Sequence, residues 1–481
     1  MVRRRRENSE KPPAKQGQIK PPAQPNEIGA STPFDFTAKN LTPYGGLLPV
    51  ATMLEKLGFE QLVEERLTIT RVPRAMGAYQ FVLAMVLGLY IGFARLHQLR
   101  FVARDPILTG ILHVTQLPPQ STLWRFLNAL LGHVAPQLLK LQATLRERVW
   151  AASHVRLPIV TVDTDTTVHT IYGDKMGARK SYNPKNKGKK SYQPILTFLA
   201  ETREYLWGEL HNGDRPTGKQ IAAHLRGAFS ALPAGVAHRQ ARADSGFYCW
   251  EAVEAYEQAD CRFVVVARKT ARLVAQLTQA EWTASPDTDA DEQCEFRYQP
   301  DGWPRPCRFV ALRDETPPGE PTTAVEQYQL FATESYTYRV FVTNFDDPIA
   351  PVVWFYNRRA SAENLIKEAN NDAGLAAHPS HRFDVNGNHF QLAMLAYNLN
   401  CWLMLFQRDE TTTDATTMRH TTLATARLKF LFVAAKIWRH AGRVGVSYSA
   451  DYAEQAGLQR LMDRLRSMTG AFAPVIRLAF T

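Results

Sequence analysis

Apolar residues recur at intervals of three and four from Leu47 to about Val149, as in Leu54, Leu57, Phe59 and Leu62 and again in Leu123, Phe126, Leu127, Leu130 and Leu131. That spacing places them on one face of successive helices and predicts a helical region. Phe81 to Ala94 is apolar throughout but covers only 14 residues. A bilayer span needs about 20, so the run predicts a buried helix and no membrane anchor. Ser121, after the break at Pro118 and Pro119, is the expected N-cap of the helix that carries Leu123.

Past Pro158 the pattern changes to one rich in β-branched residues, Ile159 to Asp165, which predicts a core strand. Strands are expected at Tyr192 to Ala200, at Tyr205 to Leu210, more weakly before Asp244, and at Phe263 to Ala267, where five apolar residues in a row suit a strand covered on both faces. Helices are expected from about Thr217 to Leu232 and from Trp250 to Gln258. Residues 270–337, with the acidic run Asp287 to Glu292, several prolines and short β-like stretches such as Arg308 to Leu312, break this alternation and read as an inserted β-rich module. Tyr338 to Thr343 then returns the chain to the main domain. Pro351 and Gly374 bracket a helix of about six turns, and Phe390 to about Phe406, apolar on most sides, predicts a buried helix. In the tail, Leu428 to Trp438 reads as helical and Val444 to Tyr448 as extended.

Six segments follow: a disordered basic arm (1–32), a helical DNA-binding or assembly domain (33–150), a first part of the main α/β domain (151–269), the insertion (270–337), its second part (338–410) and a C-terminal tail (411–481). The arm carries Arg3 to Arg6 with almost no large apolar side chains, and no apolar stretch follows it as an export signal requires.

With 481 residues, 45% of them hydrophobic, the chain can bury a substantial core. Its net charge of +11 favours a polyanionic partner such as nucleic acid. Five cysteines form no Cys-x-x-Cys pair and no zinc-type cluster, the usage of a reduced, cytoplasmic chain. Between Lys175 and Lys190 lie Arg179, Lys180, Lys185, Lys187 and Lys189 with no acidic residue and with Tyr182 among them, the best nucleic-acid-binding candidate in the sequence. A solvated loop has the same composition.

Three acidic positions stand in informative settings. Asp163 and Asp165, two apart on one strand, project from the same face, so one strand offers two acidic ligands unless one caps the following turn. Asp244 lies in Arg242-Ala-Asp244-Ser-Gly-Phe at a strand-to-helix junction. Tyr356, Arg359 and Glu363 are spaced by three and four, on one helix face, as a phosphate-handling group or as a plain i,i+4 ion pair. His169, His381 and His389 are isolated and read as structural.

Taken in order, Asp165-Thr-Thr, Arg242-Ala-Asp244-Ser-Gly-Phe and Tyr356-x2-Arg359-x3-Glu363 resemble the DDE transposases of bacterial insertion sequences, in the branch marked by a Tyr-Arg-Glu-Lys signature. The resemblance runs from about Leu41 to the tail. It implies an α/β fold with a ribonuclease-H-like mixed sheet flanked by helices, a β-rich insertion, an N-terminal helical domain and a helical C-terminal tail. It implies that Asp165, Asp244 and Glu363 are the catalytic, metal-binding triad, with Asp163 as alternative first carboxylate. Two Mg2+ or Mn2+ ions, about 3.5–4 Å apart, would serve cleavage at the element's ends and joining of the 3′-hydroxyl to target DNA. Tyr356, Arg359, Arg179, Lys180, Lys185, Lys187, Lys189 and Lys190 become DNA contacts, and a homodimer on paired ends the expected assembly. The signature's lysine falls at Asn370, so Lys367, one turn after Glu363, is its candidate replacement. The same triad suits a nuclease that does not join, and the same fold an inactive DNA-binding protein.

Overall fold

The structure is a computed structural model and describes residues 28–69, 76–184, 186–315, 331–332, 336–408 and 421–468. Most of the predicted basic arm, residues 1–27, and Lys185 lie outside the described residues. The chain divides at Lys39; residues from Asn40 onward form one compact unit.

Its centre is a mixed sheet. Strand Ile159–Thr166 pairs in parallel with His238–Ala243 on one side and antiparallel with Ile195–Leu199 on the other; Tyr205–Glu209 closes that edge. Cys261–Val266 continues the parallel side, and Tyr336–Thr343, Cys307–Glu315 and Glu292–Tyr298 follow in antiparallel order. The strands expected of an inserted module therefore extend the main sheet. Cys261–Val266 is covered on both faces: Phe263 and Val265 face the larger core, while Val264 and Val266 pack with Val352 and Val353 of helix Ile349–Asn357.

Helices Leu47–Lys56, Phe59–Arg66, Ala78–Ile91, Gln120–Ala129 and Val134–Ala152 bury their apolar stripes in the same core as the sheet. Among the described residues no single helix is long and apolar enough to cross a membrane. Helix Phe383–Gln407 is buried along most of its length yet carries amides. They satisfy the free edge of the sheet: Asn398 accepts from Tyr205 N (2.9 Å) and donates to Tyr205 O (2.9 Å), and Gln391 donates to Gly208 O (2.8 Å). An exposed edge would offer its unpaired backbone to another chain, and this helix closes it.

Three expectations are corrected. The helix holding Leu123 begins at Gln120 after Pro119, and Ser121 makes no cap. The stretch through Tyr356 and Glu363 is two helices, Ile349–Asn357 and Ala360–Asp372, parted at Arg358 and Arg359. The tail is not wholly helical: after a short turn, Ala435–His440 and Arg443–Tyr448 form a hairpin that also pairs with Leu41–Thr42, and among the described residues of the tail only Gln455–Ser467 is a regular helix of any length.

Candidate active site

Parallel pairing ends at Thr164 opposite Ala243, so Asp165, still paired with Leu196 on its other side, and Asp244, which leaves the neighbouring strand, stand at the same end of the sheet. Asp244 caps the single turn Ser245–Phe247, its Oδ1 accepting from Gly246 N (3.0 Å). Arg359 stands where the two later helices part, at the N-cap of Ala360–Asp372. Its Nη2 lies 2.7 Å from Asp165 Oδ2 and its Nη1 3.6 Å from Glu363 Oε1. One buried guanidinium thus joins the first and third predicted carboxylates.

Burial pushes the Asp165 carboxyl up to about 7; Arg359 works against that rise, while the negative charges of Asp244 and Glu363 add to it. Burial opposes the charge on Arg359, but Asp165, Tyr356 and Asp244 hold its pKa above the ordinary arginine value. Tyr356, one turn before, packs its ring on Phe341 (centroids 4.8 Å apart), and burial raises its hydroxyl to about 12. Asp244 and Glu363 are therefore both within electrostatic reach of Asp165. Among the described residues no group of His, Cys, Asp and Glu is already gathered as a metal cluster, because Arg359 holds two of the three. The donor set nevertheless fits a hard divalent cation, whose charge would relieve the burial and the neighbouring negative charges that raise Asp165.

Asp163, on the same strand face, is engaged elsewhere. It is 1% exposed, and Arg242 grips both its oxygens, Nε to Oδ1 at 2.6 Å and Nη2 to Oδ2 at 2.7 Å. Arg242 Nη1 also donates to Phe355 O (2.9 Å) in the helix before Arg359. This strut ties the first strand, the Asp244 strand and the Arg359 region together. Sequence reasoning quoted Arg242 within a motif without giving it this part; its only signal is an arginine in a strand otherwise headed for the sheet interior. Also unforeseen is a cavity of about 330 Å³ just past Asp244, lined by Tyr248, Trp250, Arg268, Tyr298 and Trp303.

The basic segment is a small antiparallel sheet of His169–Thr170, Lys190–Tyr192 and Arg179–Lys180. Lys175 turns inward, donating to His378 O (2.8 Å) and Ser380 O (3.1 Å). Arg179 faces Asp214 (3.8 Å) and Lys190 faces Asp174 (3.4 Å). Lys180, Lys187 and Lys189 are exposed, with no carboxylate in ion-pair range among the described residues, and Tyr182 and Tyr172 are exposed near them in sequence. Lys367 is exposed too, while Glu363 turns to Arg359.

Residues 27–470 match the family model described as transposase DDE domain group 1. The chain belongs to this DDE transposase family. No curated protein matches it. Among solved structures, this transposase-family chain resembles a piggyBac transposase synaptic complex with hairpin DNA at 9% identity, over 90% of this chain and 86% of that one, with a TM-score of 0.40. It also matches a Mos1 transposase paired-end complex with the left transposon end and a pre-cleavage Mos1 transpososome. Each is 11% identical over 43% of this chain, with a TM-score of 0.16, and they cover 64% and 65% of the Mos1 chains.

Proposed function

We propose that this DDE-family protein is an insertion-sequence transposase of the Tyr-Arg-Glu-Lys branch that cleaves the ends of its element and joins the 3′-hydroxyl to target DNA. The observation that carries this reading is the convergence of Asp165, Asp244 and Glu363, from three distant segments, around Arg359. Asp165, Asp244 and Glu363 would hold the metal. Two hard cations, when bound, supply positive charge for an in-line displacement at phosphorus. For Asp165 and Glu363 to become ligands, Arg359 releases them, and its planar fork is then available to a DNA phosphate through two hydrogen bonds. Tyr356 borders the same space and orients the cleaved end. The ribonuclease-H-like core is inferred from the first strand's position, with antiparallel neighbours on one side and parallel ones on the other. A homodimer on paired ends is the proposed assembly.

The reading is tested by incubating the protein with duplexes that carry the terminal repeats flanking its own coding region. Cleavage leaving a 3′-hydroxyl is expected with Mg2+ or Mn2+ and none with EDTA, and Asp244→Ala and Glu363→Ala should each be inert. Cleavage that persists in EDTA, or in either variant, would sink the triad. Product containing cut ends but never joined ends would leave a nuclease.

The exposed lysines give a second expected result. Each phosphate contact contributes about 0.9 to the slope of log affinity against log salt, so the Lys180→Ala, Lys187→Ala, Lys189→Ala triple variant should flatten that slope by about 2.7. An unchanged slope would show a solvated loop.

A further inference from the structure

The helix bearing Glu363 also carries Asn370, where the family signature has lysine, and Asn370 is not turned to solvent. Its Oδ1 lies 2.8 Å from Nε2 of His169, a buried residue four positions past Asp165. His169 Nδ1 lies 3.1 Å from His378 Nε2. An amide oxygen only accepts, so His169 carries its proton on Nε2, its Nδ1 accepts, and His378 donates from Nε2. The backbone carbonyl of His378 in turn accepts from Lys175 at the start of the basic hairpin (2.8 Å), and the His378 ring meets Tyr192 at its end, edge to face at 5.0 Å. Burial keeps both imidazoles neutral, lowering His169 to about 4 and His378 to about 2.

We propose that Asn370 is a positioning residue: through His169 and His378 it fixes the basic hairpin, residues 175–190, against the helix that carries Glu363, and so serves DNA binding without touching a phosphate. The proposal rests on the reading of that hairpin as a DNA contact. A lysine at 370 has three donors and no acceptor. Facing it, His169 either leaves its Nε2 proton opposite an ammonium or moves the proton to Nδ1, which forces His378 to accept at Nε2 and to carry its own proton on Nδ1, where it is buried without a partner; either way the relay is weakened. An aspartate keeps the shape and the acceptor but adds the charge that a phosphate contact would tolerate least.

The test compares the wild type with Asn370→Asp, Asn370→Leu and Asn370→Lys, reading affinity for an end duplex by anisotropy and backbone hydrogen exchange across residues 175–190. Wild type and Asn370→Asp should bind within about threefold of each other with equal hairpin protection, and Asn370→Leu and Asn370→Lys should bind about tenfold more weakly with faster exchange there. The reverse order, with lysine tightest and aspartate weakest, would mean a phosphate contact and overturn the proposal. His378→Leu breaks the relay at its other end without altering the Glu363 helix, and an unchanged hairpin exchange in that variant would overturn it as well. A wild type that binds no end duplex removes the DNA reading, and the exchange data then decide the bridge alone.

Discussion

Asp163→Asn is expected to lose about 3–5 kcal/mol of folding stability, whereas Asp165→Asn should keep most of its stability and lose about a thousandfold or more of DNA cleavage. The two carboxylates share a strand face, and their partners separate them. Asp163 is nearly inaccessible, with both oxygens bound by Arg242, so removing its charge strands a buried guanidinium. Asp165 is also paired, with Arg359, but Arg359 keeps Glu363 nearby, and the loss of one carboxylate relieves repulsion from Asp244 and Glu363. What Asp165→Asn removes is a proposed ligand, and three powers of ten correspond to about 4 kcal/mol of transition-state stabilisation. Urea denaturation midpoints and end-cleavage rates on the two variants provide the check. Equal stability losses, or a cleavage defect larger in Asp163→Asn, would exchange the roles assigned here.

That contrast also marks where the sequence stopped being legible. Alternation placed both aspartates on one face, and no local pattern distinguishes them, because the deciding arginines stand 79 and 194 positions further on (242 − 163 and 359 − 165). Where the determinants are local, the reading was close: Trp250–Gln258 is a helix over the span expected, and Thr217 caps Gly218–Ser230 through Gln220. Where they are distant, it failed. Leu428 to Trp438 has helical spacing, but its last part pairs as a strand with Arg443–Tyr448 and, nearly 400 residues away in sequence, with Leu41–Thr42. The break at Arg358 and Arg359 has the same origin. Arg359 is drawn inward by Asp165, and an i,i+4 pattern read from the sequence contains no such pull. The lysine missing at 370 looked like a lost DNA contact; in three dimensions the position faces a histidine.

Acid should draw down the stability that four buried histidines contribute between pH 6.5 and about 4. His169 and His389 are lowered to about 4, His224 to about 3 and His378 to about 2, in each case first by burial. Their unfolded value is about 6.5, so below that pH the unfolded chain binds protons that the folded one refuses. With more protons on the unfolded side, unfolding free energy falls as pH falls, by about 1.4 kcal/mol per pH unit for each such histidine. Asp165, raised to about 7, works in the opposite direction, taking up a proton on acidification in the folded state before the unfolded one does. Asp165 offsets about one of the four histidines, and Asp105, Asp163, Glu201, Glu209 and Asp372, each raised first by burial, act in the same direction as Asp165. His224 isolates the effect, being outside the Asn370 relay and bonded only through Nε2 to Thr197 Oγ1 (2.8 Å), with Nδ1 buried and unpartnered. Between pH 6.5 and 4 the stability of His224→Gln should fall less steeply than that of the wild type, by about 1.4 kcal/mol per pH unit. Parallel curves from urea titrations at pH 6.5, 5.5 and 4.5 would show that His224 is already solvated and charged in the folded state.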